Sequence, residues 1–535
     1  MKLLTILISL LMMGAGSGTY NNPILPSDYS DPDVIRVGND YWMTSSSFNC
    51  VPGLQILHST NLVNWEIVGA ALPEGPEACW DLFGSKGASH SAVQHGNGVW
   101  APCIRYHDGI YYIFWGDPDF GIFQVHTTDP RGEWSKPVCV LAGQGLIDTS
   151  PLWDDDGRVY LVHGWAGSRN GFKSMLSVCE LNSDCTRVIG DQVLVFDGNR
   201  SENRTVEGPK FYKRNGWYYI FAPSGGVKGG WQLVMRSRNV YGPYEFRNVL
   251  HQGNTKVEGP HQGGWVTDVA GNDWFLHFQD RYAYGRVVHM QPMTWLDDGW
   301  CTMGINQDKN GTGEPVMTYD SPAVAAGVST ALTGVSALET GTNFTGAKIP
   351  LNWQWHARPE VNWYMTDPAD GCIRLNCIKK VDGWTSLRDT PNLLLEKIVG
   401  DTMTLSSKIV FRPSYEGDRT GLAVMGNSYA SIDLCYDGKN VSIVRHEGSG
   451  RGETTGESET IHRVKKDAGP FYTVYLQVRI AEGCTASFWY SYDGKKFTKL
   501  GTDFKATAGG WIGAKVGFYA LADIKKNDGG YAEVY

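Results

Sequence analysis

Apolar and polar residues alternate with a period of two through most of the chain, and the alternating runs come in pairs separated by short turns that contain glycine. Five such pairs fall in the first half: VIRVGNDYWMTSS from Val34, IRYHDGIYYIFWG from Ile104, LWDDDGRVYLVHG from Leu152, FYKRNGWYYIFAP from Phe211 and VTDVAGNDWFLHF from Val266. Each reads as a β-hairpin, because Gly, Asn and Asp tolerate the positive φ that a tight turn demands. The turn glycines Gly38, Gly109, Gly157, Gly216 and Gly271 recur at intervals of roughly 50 to 70 residues, the length of a four-stranded propeller blade with its loops. A hairpin with two apolar faces must stack on neighbours to bury them, and radial stacking also protects strand edges. The pattern therefore predicts an all-β chain that begins with a five-bladed β-propeller.

From Cys301 to Thr340 the alternation fades, and the segment DKNGTGEP from Asp308 carries turn chemistry without the spaced ligands of a calcium loop. Beyond Phe344 it returns in TMTLSSKIVF, GLAVMGNSYASIDLCYDG, VSIVRH, FYTVYLQVRI, ASFWYSYDG and WIGAKVGFYA, which reads as a β-sandwich. The expected organisation is a leader over 1–20, a propeller over 21–318, a linker over 319–340 and a sandwich over 341–535. The leader follows from Lys2, the apolar run Leu3 to Met13 and the small residues Gly14 to Gly18, a secretory signal too short to span a bilayer. It implies export to the periplasm or medium, with no membrane span.

Composition narrows the chemistry. A net charge of -9 leaves no basic footprint for nucleic acid, so a neutral partner is expected, and 20 Trp with 26 Tyr supply flat surfaces suited to sugars. The 11 cysteines are too few for a disulfide scaffold, and Cys179, Cys185, Cys372 and Cys377 read as buried thiols rather than bridges. No spacing of Cys or His forms a convincing zinc site. Three acids stand just ahead of repeated hairpins: Asp31 in DYSDPDVIRV, Asp148 in GLIDTSPLWDDDG and Glu207 in TVEGPKFYKRNG. Pro32 is expected to hold Asp31 extended. A second Glu-Gly-Pro, at Glu258, leaves the third assignment open on residues alone.

The stretches NPILPSDYSDPDVIRVGNDYWMTSSSF, GVWAPCIRYHDGIYYIFW, IDTSPLWDDDGRVYLVHGW, TVEGPKFYKRNGWYYIFAPSGG and GRVVHMQPMTWLDDGW resemble glycoside hydrolase family 43. The resemblance covers the propeller nearly end to end. It implies an inverting hydrolase in which Asp31 is the general base, Glu207 the general acid, and Asp148 the residue that orients the acid and raises its pKa by like-charge repulsion. It further implies a pocket walled by Phe48 and Trp100, with Arg286 on sugar hydroxyls and His90 and Arg105 as weaker candidates. Cys103 is placed near the rim. Some relatives hold a calcium in the channel through a histidine of the fifth blade; here Gln262 takes that register with His261 beside it, which argues against a metal, and the carboxyl mechanism requires no cofactor.

The sequence after Phe344 resembles the concanavalin-like sandwich of the family's β-xylosidase branch, where a loop closes over the pocket. Trp511 is the nearest match to its aromatic residue. The implied activity is release of terminal β-1,4-linked xylose from xylan or its oligosaccharides. The alternatives are an α-L-arabinofuranosidase acting on arabinoxylan or arabinan, and a silent carbohydrate-binding protein.

Overall fold

The computed structural model describes residues 18–83, 93–328, 344–461, 469–523 and 529–535. Most of the expected leader, His90 and the linker from residue 329 onward lie outside them. Each of the five hairpins is the inner half of a four-stranded antiparallel sheet. The blades begin with the strands Asp33–Val37, Trp100–His107, Leu146–Trp153, Lys210–Arg214 and His261–Thr267. These first strands approach one another around the axis of the propeller. All five turn glycines have positive φ, between 64° and 90°.

The apolar alternation becomes five cores, one between each pair of blades. In the first, Trp42 and Ile56 meet Ile104 and Trp115. Phe114 and Ile122 meet Leu161, Val162 and Leu176 meet Phe211 and Ile220, and Phe221 meets Phe275. The ring closes where Leu276 and Val288 of the last blade pack on Tyr41 and Leu57 of the first. Burial on both faces of every blade is the term that holds the ring shut.

A polar clasp completes the closure. Thr19–Asn21 pairs with Thr318–Asp320. Beside that pair the buried Asn22 donates to the carbonyls of Met290 and Val316 and accepts from the Met290 amide, each bond 2.8 Å. An alanine there leaves the Met290 amide and the Val316 carbonyl unpaired, while the Tyr20 hydroxyl still donates to the Met290 carbonyl at 2.8 Å, and each unmade bond costs about 1–3 kcal/mol. We expect Asn22→Ala to lower unfolding stability by about 3 kcal/mol in denaturant titration; a loss below about 1 kcal/mol would mean that water takes over the clasp.

The second half is a sandwich of two eight-stranded sheets. Their facing sides share one core that includes Ile409, Leu422, Ile432, Val474, Phe488 and Phe518. That core is continuous with the propeller through Val51, Ala283 and Tyr284. Val51 and Trp355 exchange backbone bonds of 3.0 and 2.6 Å, and the Tyr284 hydroxyl donates to the Asp401 carbonyl while accepting from the Cys484 amide. All 11 cysteines are free. No helix among the described residues is long and apolar enough to cross a membrane.

Candidate active site

Three of the first strands carry a β-bulge near the same end. Pairing skips between Trp100 and Cys103, between Ile147 and Ser150, and between His261 and Gly263. The residues in the gaps, Ala101, Asp148 and Gln262, have φ of 35°, 54° and 37°. A bulge turns a side chain that would follow the strand's alternation and aims it elsewhere. Here Asp148 and Gln262 are aimed into a cavity of about 460 Å³ at the mouth of the channel.

Asp31, Phe48, Trp100, Asp148, Glu207, Arg286 and Trp511 all line that cavity. The structure thus gathers the three candidate acids and the four principal pocket candidates, but not the weaker ones. Glu258 points to solvent and does not line it, so geometry separates the two Glu-Gly-Pro segments. His90 is outside the described residues. Arg105 is elsewhere, bonded to Asp33 at 2.6 Å and facing a second cavity that the far ends of the first strands enclose. Cys103 is not at the rim: it is fully buried and its thiol points to the Ser150 hydroxyl at 3.2 Å, because the bulge ahead of it returns the strand to inward alternation.

Asp31 departs from expectation in its backbone. Its φ is 53° rather than extended, despite the following proline. Side-chain tethers explain the conformation. Ser46 donates to Oδ2 at 2.6 Å, and Nη1 of Arg286 lies 3.1 Å from Oδ1. The same Ser46 hydroxyl accepts the Ala101 amide at 2.7 Å, which ties the first blade's acid to the second blade's bulge. Such left-handed residues cost about 1–3 kcal/mol each and persist where surroundings over-determine them. With Asp31 only 4% exposed, the arginine and the hydroxyl offset the cost of burying a carboxylate.

Asp148 accepts the amide of Gly208 at 2.8 Å, so it fixes the backbone just after Glu207. Burial, then the charges of Glu207 and Asp31, push its pKa up to about 8. Glu207 is held 2.9 Å from Nε2 of His261. Burial acts to raise Glu207, but the His261 hydrogen bond and the positive charges of His261, Arg286 and Lys173 outweigh it and leave the carboxyl below the usual range. This reverses the expected order, in which Asp148 raises Glu207. The cause is His261, which the sequence offered only as a neighbour of a metal position. Its one legible signal was its place at the start of the fifth blade, opposite an acid at the start of the fourth. Among the described residues no three His, Cys, Asp or Glu side chains gather as a metal-ligand set, and His261 is committed to Glu207.

Trp511 sits on a sandwich loop and is 55% exposed, so it is not a core residue. Its ring meets Trp100 edge-on at 6.1 Å, and the Arg286 guanidinium lies 5.9 Å from it. Trp165 and Val227 complete the apolar wall on other sides. The cavity therefore combines flat aromatic surfaces with one carboxyl bonded to an arginine and two further carboxyls whose proton affinities are driven apart, Asp148 upward and Glu207 downward. That set can activate water and protonate a leaving oxygen.

The sequence profile of glycosyl hydrolases family 43 matches residues 20–301, and that of the β-xylosidase C-terminal concanavalin A-like domain matches residues 341–535. A Xylanibacter ruminicola protein is 34% identical over 507 residues, covering 94% of this chain and 86% of that one. The β-xylosidase of Formosa agariphila is 28% identical over 97% of this chain and 90% of its own. A non-reducing end α-L-arabinofuranosidase of Bacteroides ovatus is 28% identical, covering 83% and 82%. The family 43 protein BlXynB of Bacillus licheniformis superposes with a TM-score of 0.77 at 25% identity, covering 96% of this chain and 98% of that chain. Because both halves are matched in the order in which the fold presents them, the chain belongs to glycosyl hydrolases family 43 and carries that family's β-xylosidase-type concanavalin A-like domain behind its propeller.

Proposed function

We propose that this glycoside hydrolase removes terminal β-1,4-linked xylose from xylan or xylo-oligosaccharides with inversion. The observation that carries the proposal is a cavity where three carboxyls from separate blades meet, walled on one side by Trp511 of the other domain. A hollow closed by a second domain favours a chain end over a chain middle. The β-xylosidase relative, which aligns along nearly the whole chain, and the domain type of the second half favour xylose.

In the proposed step a water oxygen attacks the anomeric carbon as the bond to the leaving oxygen breaks. Asp31 takes the proton that the water gives up, and Glu207 delivers one to the leaving oxygen. Ser46 and Arg286 hold the Asp31 carboxylate in place for that transfer. Asp148 steadies the backbone beside Glu207 and keeps a proton within the pair. The proposed chemistry calls for no cofactor, and the leader read in the sequence supports export.

The arabinofuranosidase reading keeps support from the Bacteroides ovatus relative. Proton NMR of fresh xylobiose digests tests substrate and stereochemistry together. The expected first product is α-xylose from a β-bond; β-xylose would remove the base role from Asp31. Release from an aryl arabinofuranoside with none from the xyloside would make the arabinose reading the correct one.

A further inference from the structure

One buried carboxylate outside the catalytic set joins the two domains at the pocket. Asp28 is 6% exposed, and no Lys or Arg pairs with it among the described residues at salt-bridge distance. Its partners are instead two backbone amides and a hydroxyl. Oδ1 accepts the Arg286 amide at 2.9 Å and the Ser30 hydroxyl at 3.2 Å, and Oδ2 accepts the Gly513 amide at 2.9 Å. Arg286 is the residue that binds Asp31, and Gly513 lies two residues beyond Trp511.

The approach of these segments depends on missing side chains. A Cβ on Gly285 would stand 2.4 to 2.5 Å from the Asp28 carboxyl, and one on Gly513 would stand 2.7 Å from the Gly285 nitrogen. Only glycine admits such contacts. The Ala514 amide adds a 2.7 Å bond to the Ala283 carbonyl, so the loop's exit is fixed as well. A carboxylate that accepts amides from both domains makes charge-assisted bonds to each, and its loss frees both at once.

We propose that Asp28 is a positioning residue: it couples the sandwich loop that carries Trp511 to the Arg286–Asp31 pair, so that the aromatic wall and the base are seated together. This rests on the function proposed above. It makes the second domain part of the catalytic geometry through a residue that touches no substrate.

Hydrogen exchange read by mass spectrometry tests the clamp without reference to activity. Asp28→Ala should speed exchange at least tenfold in two separate peptides, one over 509–514 and one over 285–288. Kinetics then test its purpose on the aryl pentoside that the parent enzyme cleaves. Misplacement on the ångström scale costs up to ~10²-fold, and we expect KM to rise about tenfold in Asp28→Ala. Trp511→Ala should raise KM similarly, and the double variant should be no worse than Asp28→Ala, since the two changes remove one coupled unit. KM does not depend on the fraction of folded enzyme, so general destabilisation does not reproduce this pattern. Gly513→Ala, which pushes the loop off Gly285 without altering Asp28, should give the same rise and serves if Asp28→Ala fails to fold. Unchanged exchange over 509–514 in folded variants, KM within twofold of the parent, or multiplying effects of the two substitutions would each overturn the clamp. A parent that releases no pentose sinks the proposed activity, and the exchange result still decides the clamp.

Discussion

Glu207→Ala is expected to lose about 10³-fold in kcat on xylobiose yet retain most of its rate on a dinitrophenyl xyloside, whereas Asp31→Ala should lose activity on both substrates. The difference comes from what each bond needs. A sugar alkoxide is a strong base and a poor leaving group, so it must be protonated as it departs, and positioned acid–base groups supply about 10²–10⁴-fold. Dinitrophenolate leaves without help, so the acid at Glu207 becomes dispensable for it. Water must be deprotonated whichever group departs, so the carboxylate that Ser46 and Arg286 hold is needed for both. Steady-state kinetics on the two substrates read the outcome directly. Equal losses on both substrates for Glu207→Ala would deny it the acid's role. An Asp31→Ala enzyme at near-parental rate would empty the proposed mechanism of its base.

Much of this site could be read in the chain because the propeller repeats. An acid that precedes one hairpin is a turn cap; acids that precede three hairpins of one ring are carried to one mouth. Motif resemblance supplied Phe48, Trp100, Arg286 and Trp511. What escaped was local backbone and long-range pairing. The bulges that aim Asp148 and Gln262 inward leave no mark in the alternation, since one extra residue is indistinguishable from a shifted register. Pro32 gave a sound local preference for Asp31, and two side-chain tethers from residues 15 and 255 positions away overrode it. Cys103 was placed at the rim by counting from Trp100, a count that the bulge breaks. His261 was legible as a residue but not as a partner, because its bond to Glu207 crosses from the fifth blade to the fourth.

That bond sets the last expectation, for Asp148→Asn. In the parent, Asp148 and Glu207 hold one proton between them up to about pH 8, and the favoured seat is Asp148, whose buried carboxyl resists ionisation more than Glu207 does beside His261. The reactive arrangement moves that proton to Glu207. Both arrangements carry the same number of protons, so the reactive fraction does not change with pH until the pair ionises. The alkaline limb of kcat/KM should therefore fall near pH 8, with loss of activity as pH rises through that value. Asparagine keeps a carbonyl for the Gly208 amide but cannot hold the proton. Glu207 must then be protonated from solvent against a pKa below the usual range, and its acid form declines tenfold for each unit of pH above it. The variant's limb should shift far to the acid side, with a deficit against the parent that grows tenfold per unit across the neutral range and reaches ~10²-fold or more at pH 7. Assisted by solvent protons, Asp148→Asn should work best in acid, where the two enzymes converge. A variant that keeps its limb near pH 8 would show that the parent's proton resides on Glu207 after all, and that Asp148 only positions it.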